Sequence, residues 1–202
     1  MDWFFYERQA IERGHQAVCG IDEAGRGPLA GPVCAAAVIL PLGCQIEGLD
    51  DSKKLTEKKR EQLFDVITTQ AVAYGVGWAN EVEIDTINIL QATFLAMRRA
   101  VEALSIPPDY ALIDGNRMPA LDFPGETIIK GDGKCASIAA ASILAKVSRD
   151  RLLREWDKKY PEYGFANHKG YGTKAHYAAI IRYGVLPVHR RSFLNNLETK
   201  RL

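Results

Sequence analysis

Ala17-Val18-Cys19-Gly20-Ile21-Asp22-Glu23-Ala24-Gly25-Arg26-Gly27 is an apolar run that ends in two carboxylates and then in an arginine flanked by glycines. Residues 17–21 read as a buried strand, being short, uncharged and closed by turn-forming glycine. Strands usually exit through Gly, Asn, Ser or Pro, so an acid directly after one is an odd place for a merely solvated charge. The same ending recurs: residues 110–113 form an apolar strand closed by Asp114-Gly115, and residues 127–129 one closed by Lys130-Gly131-Asp132. Taken singly, each acid reads as a turn or cap carboxylate. On neighbouring strands they would share one small volume, where like charges cannot all stay ionised without a compensating cation. A divalent metal is the simplest compensation, and oxygen-only donors with no Cys or His beside them suit Mg2+ or Mn2+ rather than zinc or copper. Two such ions about 4 Å apart can activate a water and stabilise the leaving oxygen of a phosphodiester displacement. Asp22 and Glu23 are adjacent, and a regular strand points adjacent side chains to opposite faces. The strand is therefore expected to distort at Glu23, helped by Gly25.

Outward from this stretch, residues 33–40 and the alternating Val72, Tyr74, Val76 and Trp78 read as strands, the first pairing antiparallel with residues 17–21 through the 25–32 connection. A helix over 56–69 starts at Thr56 as N-cap and exposes Lys59. Ile87, Leu90, Phe94, Met97, Val101 and Leu104 recur at spacings of 3, 4, 3, 4 and 3, an amphipathic helix that stops before Pro107-Pro108. Residues 136–159 read as a long helix whose Ala/Ser-rich first turns permit close approach to a sheet, and 174–183 as a shorter one. Strands first, then strands alternating with helices, imply an α/β layer with a mixed sheet, in which ligands gather at the carboxyl ends of strands.

The 202 residues carry a net charge of +1, with 47% apolar and 25% charged residues, which excludes disorder and a collagen-like chain. Near-neutral charge argues against a general polyanion binder but allows a basic face balanced by an acidic pocket. No window supplies the roughly 20 uncharged apolar residues of a membrane helix, and the N-terminus lacks the apolar core of a signal peptide, so the chain is expected to be cytoplasmic. Cys19, Cys34, Cys44 and Cys135 lie 15, 10 and 91 residues apart, without CxxC spacing, and read as reduced thiols. Trp3, Trp78 and Trp156 read as packing aromatics.

Gly25-Arg26-Gly27-Pro28-Leu29-Ala30 superficially fits the dinucleotide fingerprint. Pro28 and Pro32 oppose a helix there, the next element is a strand, and no GxxxxGK[ST] loop exists, which speaks against a nucleotide-binding α/β protein. These glycines make a tight turn or let backbone N–H groups approach a nucleic-acid backbone.

GIDEAGRGPLAGPV, LDDSKKL, LIDGN, KGD followed by SIAAASILAKVSRD, and HKGYGT with HRRSF, in order over about residues 18–193, closely resemble bacterial ribonuclease HII. The resemblance implies an α/β ribonuclease H-like fold, a mixed five-stranded sheet flanked by helices. It further implies a catalytic domain over 1–160 and a helical C-terminal extension over 161–202 that packs on it and contributes to substrate binding. It implies cleavage of the RNA strand of RNA–DNA hybrids, and of the 5′ side of a ribonucleotide embedded in duplex DNA, leaving 5′-phosphate and 3′-hydroxyl ends.

By motif, Asp22, Glu23, Asp114 and Asp132 match the four acids that hold Mg2+ or Mn2+ in that family. Gly25, Arg26 and Gly27 match its ribose-sensing loop, and Tyr171 the aromatic residue packed at the junction. Ser52, Lys53, Lys146, His168, Lys169 and Arg190 complete the candidate substrate contacts; Lys146 either contacts phosphate or neutralises the acids, and Lys53 and Lys54 are phosphate contacts or solvated charges. The related ribonuclease HIII shares the four acids but normally carries an N-terminal substrate-binding domain, and only about 20 residues precede the first acid here. A hybrid-binding module without catalysis would be marked by loss of one acid, and all four are present. The chain is expected to act as a monomer on nucleic acid, without membrane association, and the 195–202 segment shows no docking peptide.

Overall fold

The strand that carries Asp22 and Glu23 is the middle one of five. In the computed structural model, which describes residues 2–194, β1 (Val18–Ala24) pairs antiparallel with β2 (Val33–Ile39) and parallel with β4 (Tyr110–Asp114). The 195–202 segment, with its expected lack of a docking peptide, lies outside the described residues. β3 (Ala73–Ala79) adds antiparallel to β2 and β5 (Gly125–Ile128) parallel to β4, giving the order β3-β2-β1-β4-β5. The mixed five-stranded sheet is the one expected.

Helices cover both faces, which is why every residue of β2 is buried. On one face α3 (Glu81–Glu102) packs over Cys19, Ile21, Ala35 and Ala37. On the other, α2 (Glu57–Gln70) and α4 (Ala136–Lys159) pack over Cys34, Ala36 and Val38. Thr56 caps α2 by accepting from the Lys59 N–H, as its sequence position predicts, although Lys59 itself is half-buried rather than exposed.

Small residues set the spacing of these layers. A Cβ on Gly20 would lie 2.2 Å from the Ser137 carbonyl carbon of α4, and one on Gly77 only 2.1 Å from the Ala96 oxygen of α3. The face of α3 turned to the sheet is accordingly Ala92, Ala96 and Ala100, each fully buried. Of the stripe of large apolar residues predicted for this helix, Met97 is buried in the same cluster with Phe94 and Val101 packed against it, Leu104 is buried beyond the end of the helix at Glu102, and Ile87 is exposed. At Asn88 the backbone turns to φ 67°, and its side chain accepts from the N–H groups of Leu90 and Gln91, so α3 is two helical segments joined by an internal cap.

One helix was not legible from periodicity. α1 (Phe5–Glu12) packs against β1 and β4 and buries Glu7, whose carboxylate accepts from Ser137 N (2.9 Å), Ser137 Oγ (2.8 Å) and Cys135 Sγ (3.2 Å). It thereby caps the first turn of α4, which has no side-chain cap of its own. At the other end of α4, α5 (Phe165–His168) and α6 (Lys174–Tyr183) close a separate apolar cluster with Leu29, Ala30 and Leu153. Among the described residues no helix is long and apolar enough to cross a membrane.

Replacing Gly20 or Gly77 by Ala should cost about 3 kcal/mol, because backbone on the facing helix has to move. Urea unfolding of either variant measures this, and a loss within error of zero would contradict the close approach.

Candidate active site

β1 and β4 run parallel and end side by side, so Asp22 and Asp114 leave the sheet at the same edge. Asp132 reaches them from the 3-10 turn Gly131–Gly133 that follows β5. One carboxylate oxygen from each of the three lies within 4.8 Å of the other two. The Gly131 N–H donates to Asp114 Oδ1 (2.7 Å), tying that turn to the end of β4. The Glu23 N–H donates to Asp22 Oδ1 (2.7 Å), and Ser142 of α4 adds a side-chain hydrogen bond to Asp22. Burial, then the charges of Glu23 and Asp114, push the Asp22 carboxyl well above the usual carboxylate range. Burial and Asp114 raise Asp132 as well.

Glu23 stands apart from this trio. The strand was expected to distort there, yet the β1–β2 register runs unbroken from Gly20↔Val38 to Ala24↔Cys34. Regular alternation therefore holds: Asp22 lies on the α4 face and Glu23 turns toward α3, where it borders a cavity with Leu90, Phe94 and Met97. Glu23 and Asp114 border both this cavity and the cleft on the α4 side, so Asp22, Glu23 and Asp114 flank the end of the sheet from two faces. Burial raises the Glu23 carboxyl, opposed by the Arg26 guanidinium 3.3 Å away.

The cleft on the α4 side has a volume of about 340 Å³. Gly25, Arg26, Gly27, Lys53, Lys146 and Tyr171 surround the acids in it. Tyr171 is exposed at its rim, and a Cβ on Gly27 would sit 3.5 Å from its ring. Lys53 Nζ lies 3.4 Å from Asp132 Oδ2. Lys146 donates to Asp150 Oδ1 at 2.7 Å, and burial lowers its ammonium. Ser52 is buried, its hydroxyl 2.7 Å from that of Ser142, so it joins the support of Asp22 rather than facing solvent.

Three other expected contacts stand behind the cleft. His168 uses both ring nitrogens, Nε2 on the Tyr163 carbonyl (2.7 Å) and Nδ1 under the Gly170 N–H (3.1 Å), leaving none for a substrate. Lys169 sits at φ 51° and donates to the Ala166 carbonyl (2.8 Å). Arg190 is 0% exposed and, among the described residues, donates only to backbone carbonyls. A guanidinium placed among converging carbonyls spends its planar fork of donors on them.

Arg149, Ser142 and His176 escaped the sequence reading. Ser142, Lys146 and Arg149 follow one another at spacings of 4 and 3 on α4, a polar stripe in an alanine-rich helix that could have revealed two of them. His176 lies in a buried network. Its Nδ1 donates to the Tyr171 carbonyl (2.9 Å) and its Nε2 faces His189 Nε2 (3.0 Å), while His189 Nδ1 lies 2.9 Å from the Leu186 N–H nitrogen and 3.3 Å from the Leu186 carbonyl. Burial lowers each ring to about 4, which leaves both neutral near pH 7.

The family model described as Ribonuclease HII matches residues 19–196. The chain belongs to the ribonuclease HII family. Ribonuclease HII of Acetivibrio thermocellus is 57% identical over 97% of this chain and 77% of its own length. That of Geobacter sulfurreducens is 58% identical over 93% of this chain and 87% of its own. Among solved structures, ribonuclease H2 from Pyrococcus horikoshii OT3 superposes with a TM-score of 0.75 at 28% identity, covering 92% of this chain and 98% of that one. As a ribonuclease HII this protein is a hydrolytic endonuclease of the ribonuclease H class.

Between pH 6.5 and 4 the unfolded chain takes up protons that His176 and His189 refuse when folded. Stability therefore rises with pH across that window, and this contribution is lost as pH falls toward 4. NMR titration of the ring protons of His176 and His189 should give midpoints near 4; midpoints near 6.5 would contradict the network.

Proposed function

We propose that this ribonuclease HII uses divalent ions, Mg2+ or Mn2+, to cut the RNA strand of RNA–DNA hybrids and the 5′ side of ribonucleotides embedded in duplex DNA. The products would carry 5′-phosphate and 3′-hydroxyl ends. The observation that carries the proposal is the gathering of Asp22, Asp114 and Asp132 within 4.8 Å at the ends of parallel strands. Donors that are all carboxylate oxygens, two of them held back from ionising by burial and mutual repulsion, fit hard divalent cations. Asp22, Glu23, Asp114 and Asp132 would hold the ions. Bound there, a pair of ions supplies an activated water and charge neutralisation at the leaving oxygen.

The remaining residues bind and orient. A ribonucleotide differs from its neighbours in a DNA strand by the 2′-hydroxyl, which backbone groups of Gly25, Arg26 and Gly27 and the ring of Tyr171 would read; that all four line one cleft with the acids supports this. Lys53, exposed beside Asp132, and Lys146 are the cations that face the substrate phosphates. Ser52, His168, Lys169 and Arg190 act through the segments they hold. Residues 161–202 serve as an extension of the 1–160 catalytic domain and carry Tyr171. The protein works as a monomer in the cytoplasm.

A labelled DNA duplex with one ribonucleotide, incubated with Mg2+, Mn2+ or chelator beside an Asp22→Asn control, tests the activity. Metal-dependent cutting on the 5′ side, lost in the control, is expected; duplex binding without cutting would point instead to a hybrid-binding module. Asp114→Asn should lower turnover at least about 100-fold, the scale on which removal of one electrostatic group at a reacting centre acts. Its duplex affinity should not change, because no phosphate donor is removed, and wild-type turnover would sink the assignment. Tyr171→Ala should impair cutting at a lone ribonucleotide more than binding of plain DNA; equal losses would contradict its place at the junction.

A further inference from the structure

Gly25, Arg26 and Gly27 line the cleft beside the acids, and two buried arginines hold that segment from inside the protein. Arg149 and Arg190 are 1% and 0% exposed, and among the described residues each guanidinium donates three hydrogen bonds, all to backbone carbonyls. Arg190 holds Gly25 O (2.5 Å), Arg26 O (2.9 Å) and Gly31 O (2.8 Å). Arg149 holds Ala30 O (3.0 Å), Pro32 O (3.1 Å) and Lys169 O (2.9 Å). Gly25, at φ 92°, has no room for a side chain, since a Cβ there would meet Arg149 Nε at 2.0 Å.

Two buried like charges side by side need a reason. Burial and Arg149 lower the Arg190 guanidinium to about 9, while Glu81 and Asp85 offset the repulsion. Glu81 Oε1 is itself buried without a hydrogen-bond partner among the described residues. Both guanidiniums are committed to carbonyls, Arg149 at the lining of the cleft and Arg190 out of reach of solvent, which leaves neither with a free donor fork for a phosphate.

Peptide geometry supplies the reason. In a trans peptide the C=O and the following N–H point in opposite directions. With the carbonyls of Gly25 and Arg26 both aimed at Arg190, the N–H groups of Arg26 and Gly27 point away from it, neither has a backbone or side-chain acceptor among the described residues, and both residues line the cleft. Successive N–H groups presented this way favour an oxygen acceptor. We infer that Arg190 is a positioning residue that fixes the direction of these two N–H groups, and so sets discrimination for the ribonucleotide without touching nucleic acid. Arg149 anchors the other end of the same connection and, through Lys169 O, joins it to the turn that carries Tyr171; Leu29 N to Gly170 O (2.8 Å) closes the join. The inference deepens the proposed function and rests on Gly25-Arg26-Gly27 being the ribose-sensing segment.

Arg190→Lys keeps the charge but offers one point in place of a planar fork. Cleavage of a single-ribonucleotide duplex by the full chain would be followed with kcat and KM separated, corrected for folded fraction by thermal melting, beside the Kd for an all-DNA duplex. A fall in kcat of about 100-fold is expected, the loss a displacement of about 1 Å produces, with KM and the all-DNA Kd unchanged. Wild-type kcat in folded Arg190→Lys, while the wild-type enzyme cuts at the ribonucleotide, would overturn the role of Arg190 alone. A wild-type enzyme that does not cut there would bring down the ribose-sensing reading instead. If Arg190→Lys does not fold, NMR of the wild-type protein in chelator decides: the amides of Arg26 and Gly27 should shift with the ribonucleotide duplex more than with all-DNA, and amides that move equally or not at all would overturn the inference.

Discussion

Carboxylates packed around a buried strand end repel one another with little water to screen them, and the fold supplies the force that keeps them together. Asp22 cannot retreat, because it lies in the middle strand with partners on both sides. Asp114 is held by the Gly131 N–H, which also fixes the approach of Asp132. These restraints are backbone hydrogen bonds and sheet register rather than flexible side chains. The acids are thus pre-organised, with the electrostatic cost stored until a cation offsets it.

Around this centre the protein uses polar groups in two ways. Groups at the cleft, such as Lys53, whose ammonium faces Asp132, and Tyr171, are exposed. Groups away from it, Arg149, Arg190, His176 and His189, are buried and spend their donors and acceptors on backbone carbonyls and N–H groups and, for the two histidines, on each other. Burying such groups is tolerable only when their hydrogen bonds are met, and where they are met they fix irregular backbone that has no ladder of its own. The 25–32 connection and the turn around Tyr171 are two such segments.

Much of this was legible in the chain. Apolar runs ending in Asp22 and Asp114 mark two strand ends, because burial and termination are local properties of sequence; the third strand, expected over 127–129, runs over Gly125–Ile128, and Asp132 joins the others from the 3-10 turn beyond it. What local pattern could not give was direction. Glu23 faces away from Asp22 because the ladder stays regular, and only the pairing with β2 reveals that. Likewise His168, Lys169 and Arg190 carry the right chemistry for phosphate but point into the protein, which depends on contacts with residues up to 165 positions away. The alanine face of α3 was hidden for a related reason: its larger residues carry the periodicity, while the glycines of β3 select the smaller ones for contact.

The cap that Glu7 places on α4 joins residues 130 positions apart, and the sheet pairs β1 with β4 across a comparable stretch. Contacts this distant in sequence slow folding, since the entropy of closing the loop is lost before the contact is gained. Most of the chain must leave the ribosome before α4 has its cap or β1 its second neighbour. The acids therefore come together late, and a half-made nuclease has no assembled centre with which to cut RNA.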